Sequence, residues 1–346
     1  MNKNLMEKIN KSRKAINEID EEILKLLSKR KNLIEEIGKL KNSLDIPIFD
    51  KKREEEILDK ISQKAKKHGL NKEFIEEVFG VVFKNSRTSQ QRQFRNVNCR
   101  IKKIGLIGFG RFGKLIVNHL SNDFEFYAYD KSNKKAEIRK NNAIPSSLRQ
   151  VCKNEIVVLA VPISEMKNTL KNIKNLLKKG SLVIDVCSVK EYPVKLMENI
   201  LPRNTQILAT HPLFGTDTAS DSLEGRKIVL CKVRISDNLY SQIKRFLESK
   251  GLLVIEKTPK QHDKEIAKSL VLTHFIGRAL INMKASNVDI DTRGYRDLIR
   301  ILGTVKNDAW QLFEDMNKYN KYSGNVRSKF IGSIEKINNK LQKSNL

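Results

Sequence analysis

The feature that most constrains this chain is a glycine-rich turn that joins a predicted strand to a predicted helix. Residues 104–113 read Ile-Gly-Leu-Ile-Gly-Phe-Gly-Arg-Phe-Gly, and a second strand-like run ends at Asp130, 22 residues after Gly108. In a strand–turn–helix unit, glycines at this spacing allow a tight turn, the close approach of a pyrophosphate and close helix–strand packing. The pattern therefore predicts an α/β domain with a dinucleotide site, and the alternative is a packing turn without a cofactor.

The acidic residue after the second strand indicates which dinucleotide is bound. Asp130 can accept hydrogen bonds from ribose hydroxyls and would repel a 2′-phosphate, so we expect NAD rather than NADP, a preference that Lys131 moderates. No group of residues has the spacing of metal ligands, and we expect no metal. The expected cofactor-binding residues are Gly108, Phe109, Gly110, Arg111, Phe112, Gly113, Asp130, Val161 and Pro162.

The N-terminal part of the chain has a helical pattern. Between Leu5 and Lys41, apolar residues recur at helical spacing, which predicts one helix roughly 55 Å long. A domain of under about 100 residues is narrower than that, so the helix must pack on something else, most simply a second copy of the chain. Two further helices are predicted over Phe49–Lys67 and Lys72–Gln93.

The pattern changes after Arg100 and again after Pro259. Short apolar runs separated by helical stretches are typical of a parallel α/β sheet. The predicted strands are Lys103–Phe109, Phe124–Tyr129, Glu155–Val161, Leu182–Cys187, Ile207–Thr210, Lys227–Cys231 and Leu252–Ile255, and the predicted later helices are His262–Lys284, Tyr295–Tyr319 and Val326–Leu341. We therefore expect a multidomain chain, with an all-α three-helix domain over residues 1–95, a Rossmann-type α/β domain over 100–258 and an all-α dimerisation domain over 259–346.

The net charge suggests a different class of protein. The 346 residues carry 67 Lys and Arg against 40 Asp and Glu, a net charge of +27, of which +7 falls in residues 1–95. Such a charge is typical of nucleic-acid binding, but no recognition helix, zinc finger or aromatic-interleaved basic strand accompanies it. We expect no nucleic-acid partner. The short apolar runs, the absence of a signal-like N-terminus and four isolated cysteines predict a cytoplasmic protein outside the membrane.

Two polar clusters follow neighbouring predicted strands. Residues 185–190 read Asp-Val-Cys-Ser-Val-Lys, and residues 210–217 read Thr-His-Pro-Leu-Phe-Gly-Thr-Asp. Ligands of open α/β sheets bind where parallel strands end, and a histidine there suits hydrogen bonding to a hydroxyl that becomes a carbonyl. We therefore predict that His211 is catalytic. His262-Asp263 and His274, twelve residues apart, belong either to this site or to the surface and core of a helix.

These segments, the HD…THF spacing and the run GYRDLIRILG resemble the prephenate dehydrogenases from about Lys103 to Phe313. The resemblance implies NAD-dependent oxidative decarboxylation of prephenate to 4-hydroxyphenylpyruvate. It implies that His211 hydrogen-bonds the ring hydroxyl, that Ser188 shares this contact and orients the imidazole, and that Arg296 pairs with a substrate carboxylate. It also places Lys190, Asp217, Asp263 and His274 around the pocket.

The helical front end carries polar residues at fixed spacing. Arg30 and Lys41 fall on one stripe of the first helix, whereas Arg13 lies roughly 25 Å from Arg30 along the axis. A single small ligand cannot bridge that distance within one helix, so Arg13 could join the others only from a partner chain. Further polar groups are Asp50, Arg53 and Glu54 on the second helix and Ser86 and Gln90 on the third. Each of them alone could belong to a solvated face.

The full set of eight residues resembles the active-site pattern of the helical chorismate mutases. The resemblance implies the rearrangement of chorismate to prephenate in an intertwined homodimer, in which each chain lends Arg13 to its partner. It implies that Arg13, Arg30 and Arg53 hold the two carboxylates, and that Lys41 and Gln90 stabilise charge on the ether oxygen. Glu54 would bind the ring hydroxyl with help from Asp50 and Ser86.

The product of the first implied reaction is the substrate of the second, so we expect a bifunctional enzyme. Two alternatives stay open. The dehydrogenase could prefer arogenate, the amino acid analogue of prephenate, and the front helices could be a non-catalytic dimerisation arm.

Overall fold

The computed structural model describes residues 2–44, 51–92, 101–217, 219 and 222–344. It divides the chain into two compact units. The first unit comprises Met1–Asn98 with Arg245–Leu253, and the second comprises Cys99–Lys244 with Val254–Leu346. The predicted sheet and the C-terminal helices therefore fall in the same unit.

The helical front end consists of three helices, as predicted. Helix α1 spans Asn2–Ser43, α2 spans Lys51–Lys67 and α3 spans Lys72–Arg92, and both α1 and α2 pack against α3. Gly69 follows the end of α2 with a φ of +69°, a left-handed conformation that glycine adopts at little cost. The Asn71 side chain then accepts a hydrogen bond of 2.7 Å from the backbone of Glu73 and caps α3.

Helix α1 exposes a row of large apolar side chains along most of its length. Ile16, Ile19 and Ile23 are each about half exposed. The others are Leu5, Met6, Ile9, Leu24, Leu26, Leu27, Leu33, Ile37 and Leu40. The front end of one chain therefore buries only a small part of the apolar surface that its sequence supplies.

The second unit is built on an eight-stranded sheet. The strands are β1 Lys103–Ile107, β2 Glu125–Tyr129, β3 Ile144–Pro145, β4 Ile156–Leu159, β5 Leu182–Asp185, β6 Gln206–Pro212, β7 Lys227–Arg234 and β8 Leu253–Glu256. Their order is β3-β2-β1-β4-β5-β6-β7-β8, with parallel pairing from β3 to β6 and an antiparallel β6–β7 pair. The first six strands thus have the order of the doubly wound dinucleotide-binding fold.

Helices connect the strands and cover the sheet. They are α4 Arg111–Leu120, α5 Lys135–Lys140, α6 Leu148–Cys152, α7 Ile163–Ile173, α8 Glu191–Ile200 and α9 Asp237–Ser249. Every residue of β4 is buried, as expected for a parallel strand with helices on both faces. The prediction of a Rossmann-type α/β domain is confirmed. Strand β3 was not predicted, because two residues at a sheet edge, one of them proline, carry no strand pattern.

The C-terminal part is helical, as predicted, with one difference in its division. Its helices are α10 Pro259–Ile266, α11 Leu272–Asn282, α12 Arg293–Val305, α13 Trp310–Lys318 and α14 Ser323–Ser344. The prediction of a single helix over Tyr295–Tyr319 is wrong, since residues 306–309 separate α12 from α13. There the backbone carbonyls of Asn307 and Asp308 accept hydrogen bonds from Arg111 and Arg278 instead of continuing a helix.

One turn of π-helix, Ala267–Val271, links α10 to α11. His262 and His274 are twelve residues apart, so a regular α-helix would set them about 120° apart around its axis. Because a π-turn takes up one extra residue, the angle falls to about 20°. Both histidines are buried. Among the described residues, no helix is long and apolar enough to cross a bilayer.

Candidate active sites

Helix α3 brings several of the predicted residues of the front end together. Arg30 of α1 donates a hydrogen bond to the hydroxyl of Ser86, and its guanidinium lies 5.9 Å from the ring centre of Phe83. Burial lowers the pKa of Arg30, and the nearby Glu54 carboxylate opposes this shift. The arginine is thus partly desolvated and aimed at the centre of the three-helix unit, which suits an anionic ligand.

Gln90 lies in the tightest contact between α1 and α3. The side chain is buried, and its Oε1 has no hydrogen-bond partner among the described residues. A Cβ at Gly38 would stand 2.9 Å from the Cα of Gln90, so only glycine at position 38 allows this approach. Lys41, one turn after Gly38, is half-buried. The unpartnered amide oxygen of Gln90 is thus available to accept a hydrogen bond from a polar ligand group.

Glu54 pairs with a basic residue of the same chain. Arg87 of α3 donates to both carboxylate oxygens of Glu54, at 2.7 and 2.5 Å. Arg87 lies outside the set of predicted site residues, although it directly follows Ser86 in the chain. If Glu54 binds a ring hydroxyl as predicted, its carboxylate would therefore contact the hydroxyl and the Arg87 guanidinium at the same time.

Two predicted residues lie apart from this cluster within one chain. Arg53 is exposed and lies 3.6 Å from Glu56, and Arg13 is exposed near the other end of α1. Asp50 lies outside the described residues. The location of Arg13 agrees with the geometric expectation that it could reach a site only from a partner chain.

The glycine turn of the second unit has the geometry that a dinucleotide needs. Gly108 has a φ of +97°, and a Cβ there would stand 2.3 Å from the carbonyl oxygen of Ala160. A Cβ at Gly113 would stand 2.3 Å from the carbonyl oxygen of Gly108, so the turn packs directly on α4. Gly110, by contrast, faces open space and caps α4 without a side-chain hydrogen bond. The first N–H groups of α4 are thus open to an anion such as a pyrophosphate.

Asp130 is held at the end of β2 by backbone hydrogen bonds. Its carboxylate accepts from Phe109 N at 2.7 Å and from Ser132 N at 2.9 Å. Burial alone would raise its pKa, but these hydrogen bonds and the Lys134 ammonium outweigh burial and lower the pKa of Asp130. The ionised carboxylate therefore stands next to the turn, where ribose hydroxyls would need an acceptor. The residues present fit an NAD molecule.

The remaining predicted cofactor residues surround the same turn. Val161, which follows β4 in the chain, packs against Gly108, and Pro162 is the N-cap residue of α7. Phe112 lies 6.2 Å from Phe214, measured between ring centres. Arg111, the first residue of α4, donates to Asp217 at 2.5 Å, which lowers the pKa of that carboxyl. Asp217 thus contacts the cofactor turn rather than His211.

His211 lies at the carboxyl end of β6 and belongs to a buried chain of hydrogen bonds. Its Nδ1 lies 2.8 Å from Nε2 of His262, and Nδ1 of His262 lies 2.7 Å from Oδ1 of Asp263. Burial lowers the pKa of His211 well below its ordinary value, and His262 and Lys190 lower it further. His211 is therefore neutral at physiological pH, and one of its nitrogens can accept a hydrogen bond.

Asp263 is fixed by the start of α8. Lys190 N donates to its Oδ1 at 2.7 Å and Glu191 N donates to its Oδ2 at 2.9 Å. The carboxylate thus caps α8 while it holds His262. The sequence left open whether His262 belongs to this site or to a helix surface or core, and the contact with His211 places it at the site.

Lys190 is fully buried and does not line an open pocket. Its ammonium pairs with Asp185 and donates to the carbonyl oxygen of Thr210 at 2.5 Å. The pair joins β5 to β6 directly before His211. Lys190 therefore acts on the site by holding the end of β6, the strand that carries His211.

Ser188 and His274 carry buried polar atoms without a partner among the described residues, namely Ser188 Oγ and His274 Nδ1. The other nitrogen of His274 lies 3.7 Å from Asp308. The hydrogen bond that orients His211 comes from His262 rather than from Ser188, whose hydroxyl stays open to a substrate. Arg296 is exposed on α12 and pairs with Asp291 at 3.0 Å.

Fold and site together place the second unit in the class of dinucleotide-binding α/β dehydrogenases. Three family models match the chain: chorismate mutase type II over residues 12–91, the nucleotide-binding domain of prephenate dehydrogenase over residues 122–256, and a TYRAAT1-like C-terminal domain over residues 279–345. A chorismate mutase of Methanocaldococcus jannaschii is 32% identical over 99 residues, which are 29% of this chain and 100% of that protein. The chain belongs to the chorismate mutase family through its first helices, and it carries a prephenate dehydrogenase nucleotide-binding domain behind them.

Other relatives match over a larger part of the chain. A T-protein of Haemophilus influenzae is 26% identical over 273 residues, 78% of this chain and 68% of that protein. Arogenate dehydrogenase 1 of Arabidopsis thaliana is 29% identical over 271 residues, 75% of this chain but only 42% of that protein. The structure of an Aquifex aeolicus prephenate dehydrogenase in complex with hydroxyphenyl propionate and NAD+ shares the fold, with a TM-score of 0.58 at 22% identity over 71% of this chain and 93% of that one. The predicted NAD-binding fold and the predicted family resemblances are confirmed.

Proposed function

We propose that this chain is a bifunctional enzyme of tyrosine synthesis. Its front helices rearrange chorismate to prephenate, and its second unit oxidatively decarboxylates prephenate to 4-hydroxyphenylpyruvate. The observation that carries the proposal is the presence, in one chain, of two families whose reactions share an intermediate. We place the boundaries of the mutase, nucleotide and C-terminal domains at residues 1–95, 100–258 and 259–346, in a cytoplasmic protein.

In the mutase site, Arg30 and Arg53 would hold the carboxylates of chorismate, with Arg13 supplied by a second chain. Gln90, whose Oε1 has no hydrogen bond among the described residues, would turn its Nε2–H group toward the ether oxygen and donate to it together with Lys41. The exposed apolar row of α1 supports this arrangement, since a second copy would cover it. We therefore propose an intertwined homodimer.

In the dehydrogenase site, NAD would be held by the glycine turn, the start of α4 and Asp130. Bound NAD acts as the two-electron oxidant. His211 would accept a hydrogen bond from the ring hydroxyl, and Ser188, whose hydroxyl is unpartnered, would contact the same group. Arg296, exposed on α12, would pair with a substrate carboxylate. The substrate pocket would be shaped by Lys190, Asp263 and His274. Its cofactor side would be shaped by Arg111 and Asp217.

The test supplies the purified protein with chorismate and NAD and follows NADH. We expect NADH from chorismate and from prephenate, with His211→Asn lowering the second rate by at least about 100-fold. Arg30→Ala should abolish NADH from chorismate and spare NADH from prephenate. Unchanged chorismate turnover in Arg30→Ala would overturn the mutase assignment and leave the front helices as a dimerisation arm.

Arogenate is the second candidate substrate, because both arogenate dehydrogenases and T-proteins are among the relatives. A parallel assay with arogenate in place of prephenate decides between them. A higher kcat/KM with arogenate would assign the second unit to that substrate and would leave the mutase assignment unaffected.

A further inference from the structure

His262 and Asp263 are buried next to His211, and their role rests on the proposed dehydrogenase function. Both side chains are almost fully buried, at 2% and 1% exposure, directly behind His211. Asp263 caps α8, but neither that cap nor the packing requires a histidine at position 262. A histidine placed between an imidazole and a carboxylate can determine which nitrogen of the imidazole carries the proton.

The hydrogen bonds fix the proton positions in one order. Both oxygens of Asp263 face N–H donors, so Nδ1 of His262 must donate its proton to Oδ1. Burial lowers the pKa of His262, so this ring is neutral at physiological pH and its Nε2 is an acceptor. Nδ1 of His211, 2.8 Å away, must then be the protonated nitrogen. The lone pair of His211 is left on Nε2, which has no hydrogen bond among the described residues.

We propose that Asp263 and His262 are positioning residues that hold His211 in the tautomer with a free Nε2 lone pair. This lone pair is the acceptor for the hydroxyl proton of the substrate. Without His262, the proton of His211 could move to Nε2, and the imidazole would become a donor toward the hydroxyl. Ser188 is not needed for this orientation.

The same chain of hydrogen bonds supports the proton transfer itself. Bound NAD would take up the hydrogen of the carbinol carbon together with both electrons of its C–H bond, as a hydride. The C–O bond then becomes a carbonyl, and the hydroxyl proton moves to Nε2 of His211. The bond to the ring carboxylate then breaks to release CO₂, its electrons make the ring aromatic, and the proton returns from Nε2 to the phenolic oxygen. While His211 is charged, its Nδ1–H bond to His262 strengthens toward the Asp263 carboxylate.

Two variants of His262 separate positioning from packing. Gln at position 262 offers an oxygen to the N–H of His211, whereas Phe fills the volume and offers no acceptor. We expect kcat to fall about tenfold in His262→Gln and about 100-fold or more in His262→Phe, with NAD affinity within about twofold of wild type. His68→Gln, a substitution at an exposed imidazole, is the matched control and should leave the rate unchanged. A packing role predicts the reverse order, and an activity of Phe at or above Gln would overturn the proposal.

The pH profile gives a second measure. The charged groups that face the two rings are Lys190 at the start of α8, Asp185 at the end of β5 and Asp263 of α10. His262 lowers the pKa of His211 only when it is itself charged, whereas the neutral His262 of this arrangement accepts the Nδ1–H of His211 and favours the charged form of that ring. Replacing His262 with Phe removes this acceptor and should therefore move the acid limb of kcat/KM to lower pH, whereas Gln, which keeps an acceptor, should move it less. A limb that stays in place in both variants contradicts the assignment.

Nuclear magnetic resonance of ¹⁵N-histidine-labelled, ligand-free protein tests the tautomer without any substrate. We expect His211 and His262 of the full-length protein to be protonated on Nδ1 near neutral pH, and His211 to become a mixture in His262→Phe. Protonation of wild-type His211 on Nε2 would overturn the proposal. If the protein oxidises neither prephenate nor arogenate, the proposed function fails, while this measurement still decides the tautomer.

Discussion

Lys190 and Asp185 form a buried ion pair that no residue pattern marks as structural. Both side chains have no exposed surface, and the lysine also binds the backbone immediately before His211. The motif suggested a pocket residue, but a motif cannot tell whether a side chain points toward a ligand or between two strands. The pair therefore acts as a support for the catalytic strand.

Replacing Lys190 with Met should cost about 3–5 kcal/mol of unfolding free energy, because Asp185 would be left as an uncompensated buried charge. Urea unfolding followed by the fluorescence of Trp310 measures this. The control is Lys232→Met, whose partner Asp237 is exposed and whose loss should cost much less. Equal effects of the two substitutions would contradict the buried-pair argument.

His274 makes the stability of the second unit depend on pH. Burial lowers its pKa from 6.5 to about 4. Between about pH 6.5 and pH 4 the unfolded chain therefore binds a proton that the folded chain does not, and the unfolding free energy falls as the pH is lowered, by up to about 3 kcal/mol from this group. His274→Asn should flatten that part of the urea-midpoint profile, whereas His68→Asn should not. An identical profile in His274→Asn and wild type would refute the assignment.

At the scale of elements, small features decide which residues meet. The π-turn Ala267–Val271 brings His262 and His274 to nearly the same side of a continuous helix, and Gly38 allows α1 to approach Gln90. A hydrophobic period predicts that a helix exists, but one extra residue in a turn changes which of its faces is buried. Residues 306–309 similarly interrupt a pattern that is continuous in the sequence.

Gly38→Ala should lower chorismate mutase activity, because its Cβ would meet the backbone of Gln90 at 2.9 Å and push α1 away from α3. We expect a loss of about 1–3 kcal/mol in stability as well, as for other overpacked contacts. Gly80→Ala is the matched control, since α3 has open space there and the change should stabilise by up to about 1 kcal/mol. Chorismate consumption and thermal unfolding measure both effects, and a Gly38→Ala variant as active as Gly80→Ala would contradict the contact.

At the scale of the whole molecule, a single chain leaves the apolar side chains of α1 uncovered and keeps Arg13 far from Arg30. The exposed row on α1 contains Ile16, Ile19 and Ile23, and Arg13 lies roughly 25 Å from Arg30 along the same helix. A second chain would cover the apolar row and supply the missing arginine. The proposed dimer is thus a condition for the mutase reaction.

Mixing two inactive variants tests this arrangement. Arg13→Ala and Arg30→Ala should each be inactive alone, but a heterodimer of the two has one site with both arginines and one with neither. Unfolding and refolding an equal mixture should restore about a quarter of wild-type mutase activity, since half of randomly formed dimers are heterodimers. Size-exclusion chromatography verifies the dimer, and a refolded dimer without activity would overturn the shared site.

The sequence by itself determined the fold class, the division into a helical, an α/β and a second helical region, and the dinucleotide turn. It also determined the resemblance to the chorismate mutases and the prephenate dehydrogenases. These features depend on local patterns, since glycine spacing, apolar period and motif residues are properties of neighbouring positions. Only the tertiary structure decided that His262 stands behind His211, that Arg87 pairs with Glu54 and that Lys190 points inward. Each of these contacts joins residues that are 51, 33 or 5–20 positions apart, and their geometry depends on how elements pack rather than on any local pattern.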